Sequence, residues 1–295
     1  MARKFAERDA AFAARPALLG TRHELYLGDA RSMLELDAGR KLHLVVTSPP
    51  YWTLKNYEGT AGPAQLGAVQ DYERFQLELA KVWRRCFDLL VPGGRLCVVV
   101  GDVCLPRKSG GRHRVVPLHA DIASHCGRIG FDYLTPILWH KIANAVTEVE
   151  GNGAAFLGKP YEPNAIIKND VEYVLLFRKP GAYRSPTEEQ RRLSLIDKND
   201  HAAWFRSIWT DIPGASGQKG HPAPFPVKLA YRLIRMFSFV GDTVLDPFVG
   251  SGSTTQGAIQ AYRSSVGYEI EPYYFDQLKQ RFSQFQAGIE ITFGG

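Results

Sequence analysis

Residues 45–52 read VVTSPPYW: a hydroxyl, two prolines and two aromatic rings follow directly on an apolar run. Proline lacks the N–H that a sheet ladder needs, so Pro49 and Pro50 end the strand and stiffen the backbone beyond it. Ser48 Oγ and the Pro49 carbonyl oxygen are thereby preorganised as hydrogen-bond acceptors, and Tyr51 offers a flat face beside them. That set suits one chemical problem. An amine conjugated to a heteroaromatic ring is a poor nucleophile because its lone pair is delocalised. Acceptors aimed at its protons favour the pyramidal form and stabilise the positive charge that grows on nitrogen during attack. Stacking on Tyr51 is worth about 1–3 kcal/mol for a nucleobase. The same eight residues also fit a Pro-Pro turn with aromatics packed beneath it.

A second chemical cluster lies 200 residues on. In VLDPFVGSGSTTQGA (244–258) a strand, an acid, a glycine turn and a helix follow in order. Gly250 and Gly252 allow a tight turn and a close backbone approach to a ligand, and the helix from Ser253 and Thr254 presents free N–H groups at its positive end. Thr255 stands where a dinucleotide fingerprint needs its third glycine, and no G-K-[ST] follows, so neither a dinucleotide site nor a phosphate P-loop is indicated. Asp246 suits a cation, such as an α-amino group. Glu269, ending the next apolar run SSVGYEIE, suits a ribose diol, since a carboxylate accepts from both hydroxyls. A ligand with an amino-acid end and a nucleoside end satisfies both, and S-adenosylmethionine is such a molecule.

The elements that must position these residues alternate. HELYLGD (23–29), KLHLVVTS (41–48), RLCVVVGD (95–102), FDYLTPILWHK, VEYVLLFRK, DTVLDPF (242–248) and SSVGYEIE read as strands. Between them ARSMLELDA reads as a short helix. DYERFQLELAKVWRRCFDLL (71–90) is a long amphipathic helix with Asp71 as N-cap and PGG (92–94) as stop. PLHADIASHCGRIG, PVKLAYRLIRMFS (226–238, Pro226 in its first turn), STTQGAIQAY and PYYFDQLKQRFSQF are further helices. This predicts an α/β fold, a doubly wound, mostly parallel sheet covered on both faces. A single domain over residues 1–295 is expected. Three stretches interrupt it: 104–117, 141–168 and 179–226. Long irregular segments of this kind often carry function. Glu188 and Glu189 read as a solvated helix start.

Composition narrows the partners. The chain has 295 residues, 45% of them apolar, a net charge of +6 and four cysteines without a C-x-x-C pair. The basic surplus suits a polyanion. The cysteine spacing suggests neither zinc nor disulfides, and no histidine spacing suggests a metal. There is no apolar run of membrane length and no signal-peptide pattern near the N-terminus. A reduced, cytoplasmic setting is expected.

Taken together, Ser48-Pro49-Pro50-Tyr51 and Phe248-Val249-Gly250-Ser251-Gly252 resemble the catalytic [DSN]-P-P-[YFW] and cofactor F-x-G-x-G motifs of DNA amino-methyltransferases of the restriction-modification type. The catalytic motif precedes the cofactor motif, which resembles the circularly permuted beta class. LGDA (27–30), EYVLLFRK (172–179) and HPAPFPVKLAYRLI (221–234) are similar to other pieces of that class, so the resemblance spans residues 22–286. It implies a Rossmann-like S-adenosylmethionine-dependent fold, with Asp29 near the cofactor's adenine end, Glu269 at the ribose and Asp246 with Pro247 near the methionine moiety. Phe248 flanks the adenosine or the methionine, and Phe225 and Lys228 line the site. TSPPYW resembles the cytosine-N4 members more than the adenine-N6 members, which mostly carry Asp. Serine at 48 does not decide the base. RNA methylation and a catalytically idle DNA-binding regulator remain as further readings. Double-stranded DNA is the implied partner, with the target base flipped from the stack to reach Tyr51. A homodimer and a cognate restriction endonuclease are also implied. Trp52, Lys55, Arg107, Lys108, Arg112 and Arg114 are candidates for DNA contact, for which a solvated surface charge is the plain alternative. Segment 179–220 is the candidate target-recognition insertion.

Overall fold

The computed structural model describes residues 2–14, 20–37, 39–53, 62–105, 107, 111–141, 156–157, 159, 161–167, 169–214, 226–283 and 288–295. Nine of its strands form one sheet. In chain order they are β1 (Thr21–Leu27), β2 (Leu42–Thr47), β3 (Leu90–Val100), β6 (Asp132–His140), β9 (Val171–Arg178), β10 (Ile208–Trp209), β11 (Thr243–Asp246), β12 (Ser264–Glu269) and β13 (Ile289–Gly294). Two hairpins stand apart from it, β4 (Val103–Leu105) with β5 (Arg114–Val116), and β7 (Phe156–Leu157) with β8 (Ile166–Ile167). The sheet order is β10-β6-β9-β3-β2-β11-β12-β1-β13. Only β9 runs against its neighbours; every other pairing is parallel. The mostly parallel α/β fold expected from the alternation is therefore present.

Helices cover both faces. On one, α2 (Tyr72–Leu89) and α3 (Leu118–Ile129) bury Phe75, Leu79, Val82, Trp83 and Ile122 against Val45, Val98 and Leu175. On the other, α6 (Val227–Phe237) and α7 (Ser253–Gln260) bury Leu229, Leu233, Ile234 and Ala258 against Leu44, Val46, Val99 and Trp139. α8 (Pro272–Arg281) packs Phe275 and Leu278 over Leu25 and Val249. The apolar spacing along each helix puts its buried residues on one stripe, and both faces of a parallel sheet demand such covers. Asp71 caps α2 as expected, its side chain accepting from the Arg74 N–H.

Several expectations are corrected. ARSMLELDA is not a helix: residues 30–37 form successive turns, with the Ser32 and Met33 N–H groups both donating to the Asp29 carbonyl. PGG does not stop α2, which ends at Leu89; β3 has already begun at Leu90 and runs through Pro92–Gly94. There Gly93 has φ +75° and donates to the Lys179 carbonyl. Sequence reading also overlooked α1 (Ala2–Ala14), α5 (Lys198–Trp204), β10 and β13. Glu188–Glu189 do start a helix, α4 (Glu188–Leu193), closed by a capping box between Thr187 and Gln190.

The described part of segment 179–220 is woven onto the sheet's edge. β10 pairs with β6, and Trp209 and Ile212 are buried with Trp139 of β6. Arg232, 2% exposed, lies under the Trp204 and Trp209 rings and pairs with Asp211.

Gly252 decides how the last two helices meet the sheet. Its φ is +84°, and a Cβ there would lie 2.5 Å from Phe282 Cε2 and 2.9 Å from Leu278 Cδ2. Gly252→Ala is expected to destabilise the fold by about 2–4 kcal/mol, through left-handed strain and overpacking. Urea unfolding of the two proteins measures this, and an unchanged midpoint would contradict it.

Candidate active site

A parallel sheet brings the ends of its strands to one carboxyl edge, where ligands of doubly wound folds bind. Here that edge carries a row of polar residues. Following the sheet order, β3 leads into Asp102, β2 into Ser48, β11 ends on Asp246, β12 on Glu269 and β1 leads into Asp29. Adjacent strands lie about 4.8 Å apart, so residues scattered over 240 positions of sequence become neighbours. From β2 the chain returns through α2 to β3 on one side. From β11 it returns through α7 to β12 on the other. The winding therefore reverses between β2 and β11, directly below Ser48 and Asp246.

The two strands are tied at that point. Thr47 Oγ1 donates to Asp246 Oδ1 at 2.7 Å, and the Phe248 N–H donates to the same oxygen at 3.0 Å. Thr254, in the first turn of α7, donates to the Val46 carbonyl at 3.2 Å. Asp246 is 1% exposed, and its Oδ2 has no hydrogen-bond partner among the described residues. Burial pushes this carboxyl up from its ordinary 3.8 to about 6, against the pull of the Thr47 hydroxyl and the Phe248 amide.

Glu269 is half-buried and fixed by two backbone donors, Glu271 N–H to Oε1 at 2.9 Å and Gly250 N–H to Oε2 at 3.1 Å. Burial raises it from 4.5 to about 7, the neighbouring Asp246 charge adding to the effect. The glycine turn is thus held to both acids: Gly250 (φ +49°) binds Glu269, and Gly252 caps α7. Pro247, Gly250, Ser253 and Thr254 are buried; Phe248 is half-buried with its ring edge-on to Trp83 at 6.3 Å.

The SPPY corner follows β2 without regular structure. Ser48 is half-buried and Pro49 buried. Ser48 Oγ lies 3.4 Å from the Tyr51 hydroxyl. Tyr51 in turn reaches Glu172 Oε2 at 3.2 Å, and Lys141 Nζ donates to Glu172 Oε1 at 2.7 Å. The backbone turns sharply at Trp52, a non-glycine residue with φ +48°. The Trp52 indole donates to the Val69 carbonyl at 3.0 Å and meets the Tyr72 ring edge-on. Its indole is therefore anchored to the start of α2.

Other expected site residues are placed less simply. Asp29 sits at the same edge, since Leu27 pairs with Glu269. Its carboxylate is taken by Arg31, which also reaches Glu78 Oε2 at 2.9 Å. Lys228 is exposed in the first turn of α6, its ammonium 3.3 Å from the Asp211 carbonyl. Arg107, Arg112 and Arg114 are exposed on the segment that leaves the carboxyl end of β3. Lys55, Lys108 and Phe225 lie outside the described residues, as do residues 215–220 of the expected insertion.

Sequence reasoning missed Glu172, Lys141 and Asp102. Asp102 accepts from His119 Nδ1 at 2.7 Å, and the His119 ring stacks on Tyr173 at 3.8 Å. An acid close behind an apolar strand was the available signal for Asp102, much as an acid ending a strand marked Asp246. Glu172 is the second residue of its strand, and it reaches the carboxyl edge only because β9 runs antiparallel.

Comparison with known proteins shows which family the chain resembles. The N6_N4_Mtase family model, of DNA methylases, matches residues 42–280. The type II methyltransferase M.MjaI of Methanocaldococcus jannaschii is 38% identical, over 92% of this chain and 95% of its own length. M.MthZI of Methanothermobacter thermautotrophicus, also a type II methyltransferase, is 33% identical over 90% and 77%. The crystal structure of TTHA0409 from Thermus thermophilus, complexed with S-adenosyl-L-methionine, superposes with a TM-score of 0.75 at 48% identity. That match covers 92% of this chain and 99% of the other.

The raised carboxyls make the free protein's stability depend on pH. Asp246 and Glu269 bind protons in the native state at about 6 and about 7, above their ordinary 3.8 and 4.5. Between about pH 4 and 7 the native state therefore holds more protons than the unfolded one, and stability falls as pH rises through that window. Asp246→Asn is expected to flatten this fall, read as the difference in urea midpoints at pH 5 and pH 8. A wild-type slope persisting in the variant would contradict the assignment.

Proposed function

This chain belongs to the N6_N4_Mtase family of DNA methylases, and from that premise we propose that it transfers a methyl group from S-adenosylmethionine to the N4 amine of cytosine in a specific duplex DNA sequence. The observation that carries the reading is the meeting of Ser48, Asp246 and Glu269 on adjacent strand ends at the point where the winding reverses.

The residues present fit the cofactor. Asp246 Oδ2, buried without a partner among the described residues, suits the cofactor's ammonium. Each Glu269 oxygen accepts one backbone N–H and retains a lone pair for a ribose hydroxyl. The left-handed Gly250 and Gly252 keep the turn between them free of side chains. Asp29, held by Arg31, contributes to the adenine end only by exchanging that partner. When bound, S-adenosylmethionine supplies an electrophilic methyl on a sulfonium.

The chain's own residues then act on the amine. Ser48 Oγ and the Pro49 carbonyl accept its protons and stabilise the charge that develops on nitrogen, and Tyr51 holds the flipped ring. The proton leaves after transfer, so no strongly basic side chain is needed. Serine at 48 supports cytosine over adenine. Exposed Arg107, Arg112 and Arg114 are proposed to hold phosphates, and segment 179–220 to read the target. The permuted order of the motifs, a cytoplasmic setting, a homodimer and an accompanying restriction endonuclease belong to the same reading.

Expression in cells lacking DNA methylation, followed by nucleoside mass analysis, tests the base: N4-methylcytosine is expected. N6-methyladenine alone would reassign the substrate, and no modified base would overturn the activity. Ser48→Ala is expected to lower kcat about 100-fold, as for loss of a preorganised polar group. Its cofactor Kd, by calorimetry, should stay within about twofold, since the Ser48 hydroxyl is assigned to the amine and not to the cofactor. Equal loss of both would remove Ser48 from the role.

A further inference from the structure

We propose that Glu172 is a positioning residue that sets the direction of the Ser48 hydroxyl through Tyr51; the inference rests on the methyl-transfer reading above. A serine hydroxyl has one proton and two lone pairs, and it accepts from an amine well only when its own proton is held elsewhere. The structure provides that place. Ser48 Oγ donates to Tyr51 Oη at 3.4 Å, and Tyr51 Oη donates to Glu172 Oε2 at 3.2 Å, nearer than its alternative acceptor, the Val99 carbonyl at 3.5 Å.

The direction of this chain is fixed at its far end. An ionised carboxylate only accepts, so Tyr51 must donate to it, and its remaining lone pair is then offered to Ser48. Glu172 is 9% exposed, and its other oxygen accepts from Lys141 Nζ at 2.7 Å. That ammonium pairs with the carboxylate and balances its charge. Protons thus point from Ser48 to Tyr51 to Glu172, and the Ser48 lone pairs face away from the relay. Hydrogen bonds among catalytic groups are often long before substrate binds and tighten in the complex.

The space for this contact is provided by Gly101. A Cβ at Gly101 would lie 3.3 Å from Tyr51 Cε2 and 3.4 Å from Glu172 Cγ. The residue after β3 thus leaves room for the Tyr51 ring beside Glu172. Tyr51 thereby has two separable tasks: its face stacks on the base and its hydroxyl orients Ser48.

Tyr51→Phe keeps the face and removes the hydroxyl; Glu172→Gln keeps the shape and removes the fixed direction. Methyl incorporation from labelled S-adenosylmethionine into unmethylated plasmid DNA is measured for the full-length wild type, both variants and the double variant. Each single change is expected to lower kcat about 10-fold, in the range of a lost proton-orienting group, with KM for DNA and cofactor Kd little altered. The double variant should be no slower than the slower single one, because the residues act as one unit. Losses that multiply, no loss of kcat, or a loss confined to KM would overturn the proposal. A readout independent of activity is the 13Cζ resonance of Tyr51, assigned by its absence in Tyr51→Phe. It should shift in Glu172→Gln, and an unmoved resonance would also overturn the proposal. A wild type that transfers no methyl to DNA would instead refute the methyl-transfer reading, and the resonance would still report on the relay.

Discussion

The hydrogen bond from Thr47 to Asp246 is the constraint on which the rest of the site depends. It joins the last residue of one strand to the last residue of its neighbour, where the winding of the sheet changes direction. A buried carboxylate is costly unless its acceptors are used. Asp246 uses one oxygen on Thr47 and the Phe248 amide, and this locks the glycine turn to the corner that carries Ser48. Thr254 reinforces the tie by reaching back from α7 to the Val46 carbonyl. The SPPY corner and the glycine turn are therefore held in fixed relation, as the proposed methyl transfer between them requires.

Electrostatics follow from the same placement. Asp246 and Glu269 stand on adjacent strand ends in a poorly solvated crevice. Burial raises both, and Asp246 raises Glu269 further. Two acids raised by burial on neighbouring strand ends are a feature that clusters at functional sites. Stability and affinity for a cationic ligand then change in opposite directions with pH. Protonation relieves the buried charges but removes what attracts the ammonium.

Much of this was legible in the sequence, for identifiable reasons. Pro49–Pro50 and the 250–252 glycines are punctuation, and punctuation survives without three-dimensional context. The apolar runs at 42–47, 243–246 and 264–269 gave their strands because both faces of a parallel sheet are buried. What stayed hidden depended on pairing. Glu172 looks like an ordinary residue opening a strand until β9 is known to run antiparallel and to deliver its first residues, not its last, to the carboxyl edge. The short elements at 198–212 hide because Trp204, Trp209 and Ile212 show neither helical nor alternating period over so few residues. Their structure comes from Arg232 and Trp139, which lie on α6 and β6. The turns at 30–37 resemble a helix by apolar spacing, but Arg31 folds back onto Asp29 and Arg85 binds the carbonyls of Ser32, Met33 and Leu36. Tertiary partners there override local preference.

The choice of serine at 48 now has a physical setting. A carboxylate at that position would stand one strand from Asp246 and two from Glu269, adding a third negative charge to a pair already raised by burial. Serine avoids that repulsion, but a hydroxyl, unlike a carboxylate, has a proton to place. The Tyr51–Glu172–Lys141 chain lies on the opposite side of Ser48 from the two acids, toward β9 rather than β11. Its negative charge is matched by an ammonium at 2.7 Å, so it directs the hydroxyl without adding net charge to the crevice. In the proposed reading the two sides of Ser48 are electrically distinct: Asp246 faces the cofactor's ammonium, and the Lys141-paired Glu172 sits behind the ring proposed to bind the base. On that proposal the site holds a cation on one side and turns acceptors toward a neutral amine on the other, as the transfer between them demands.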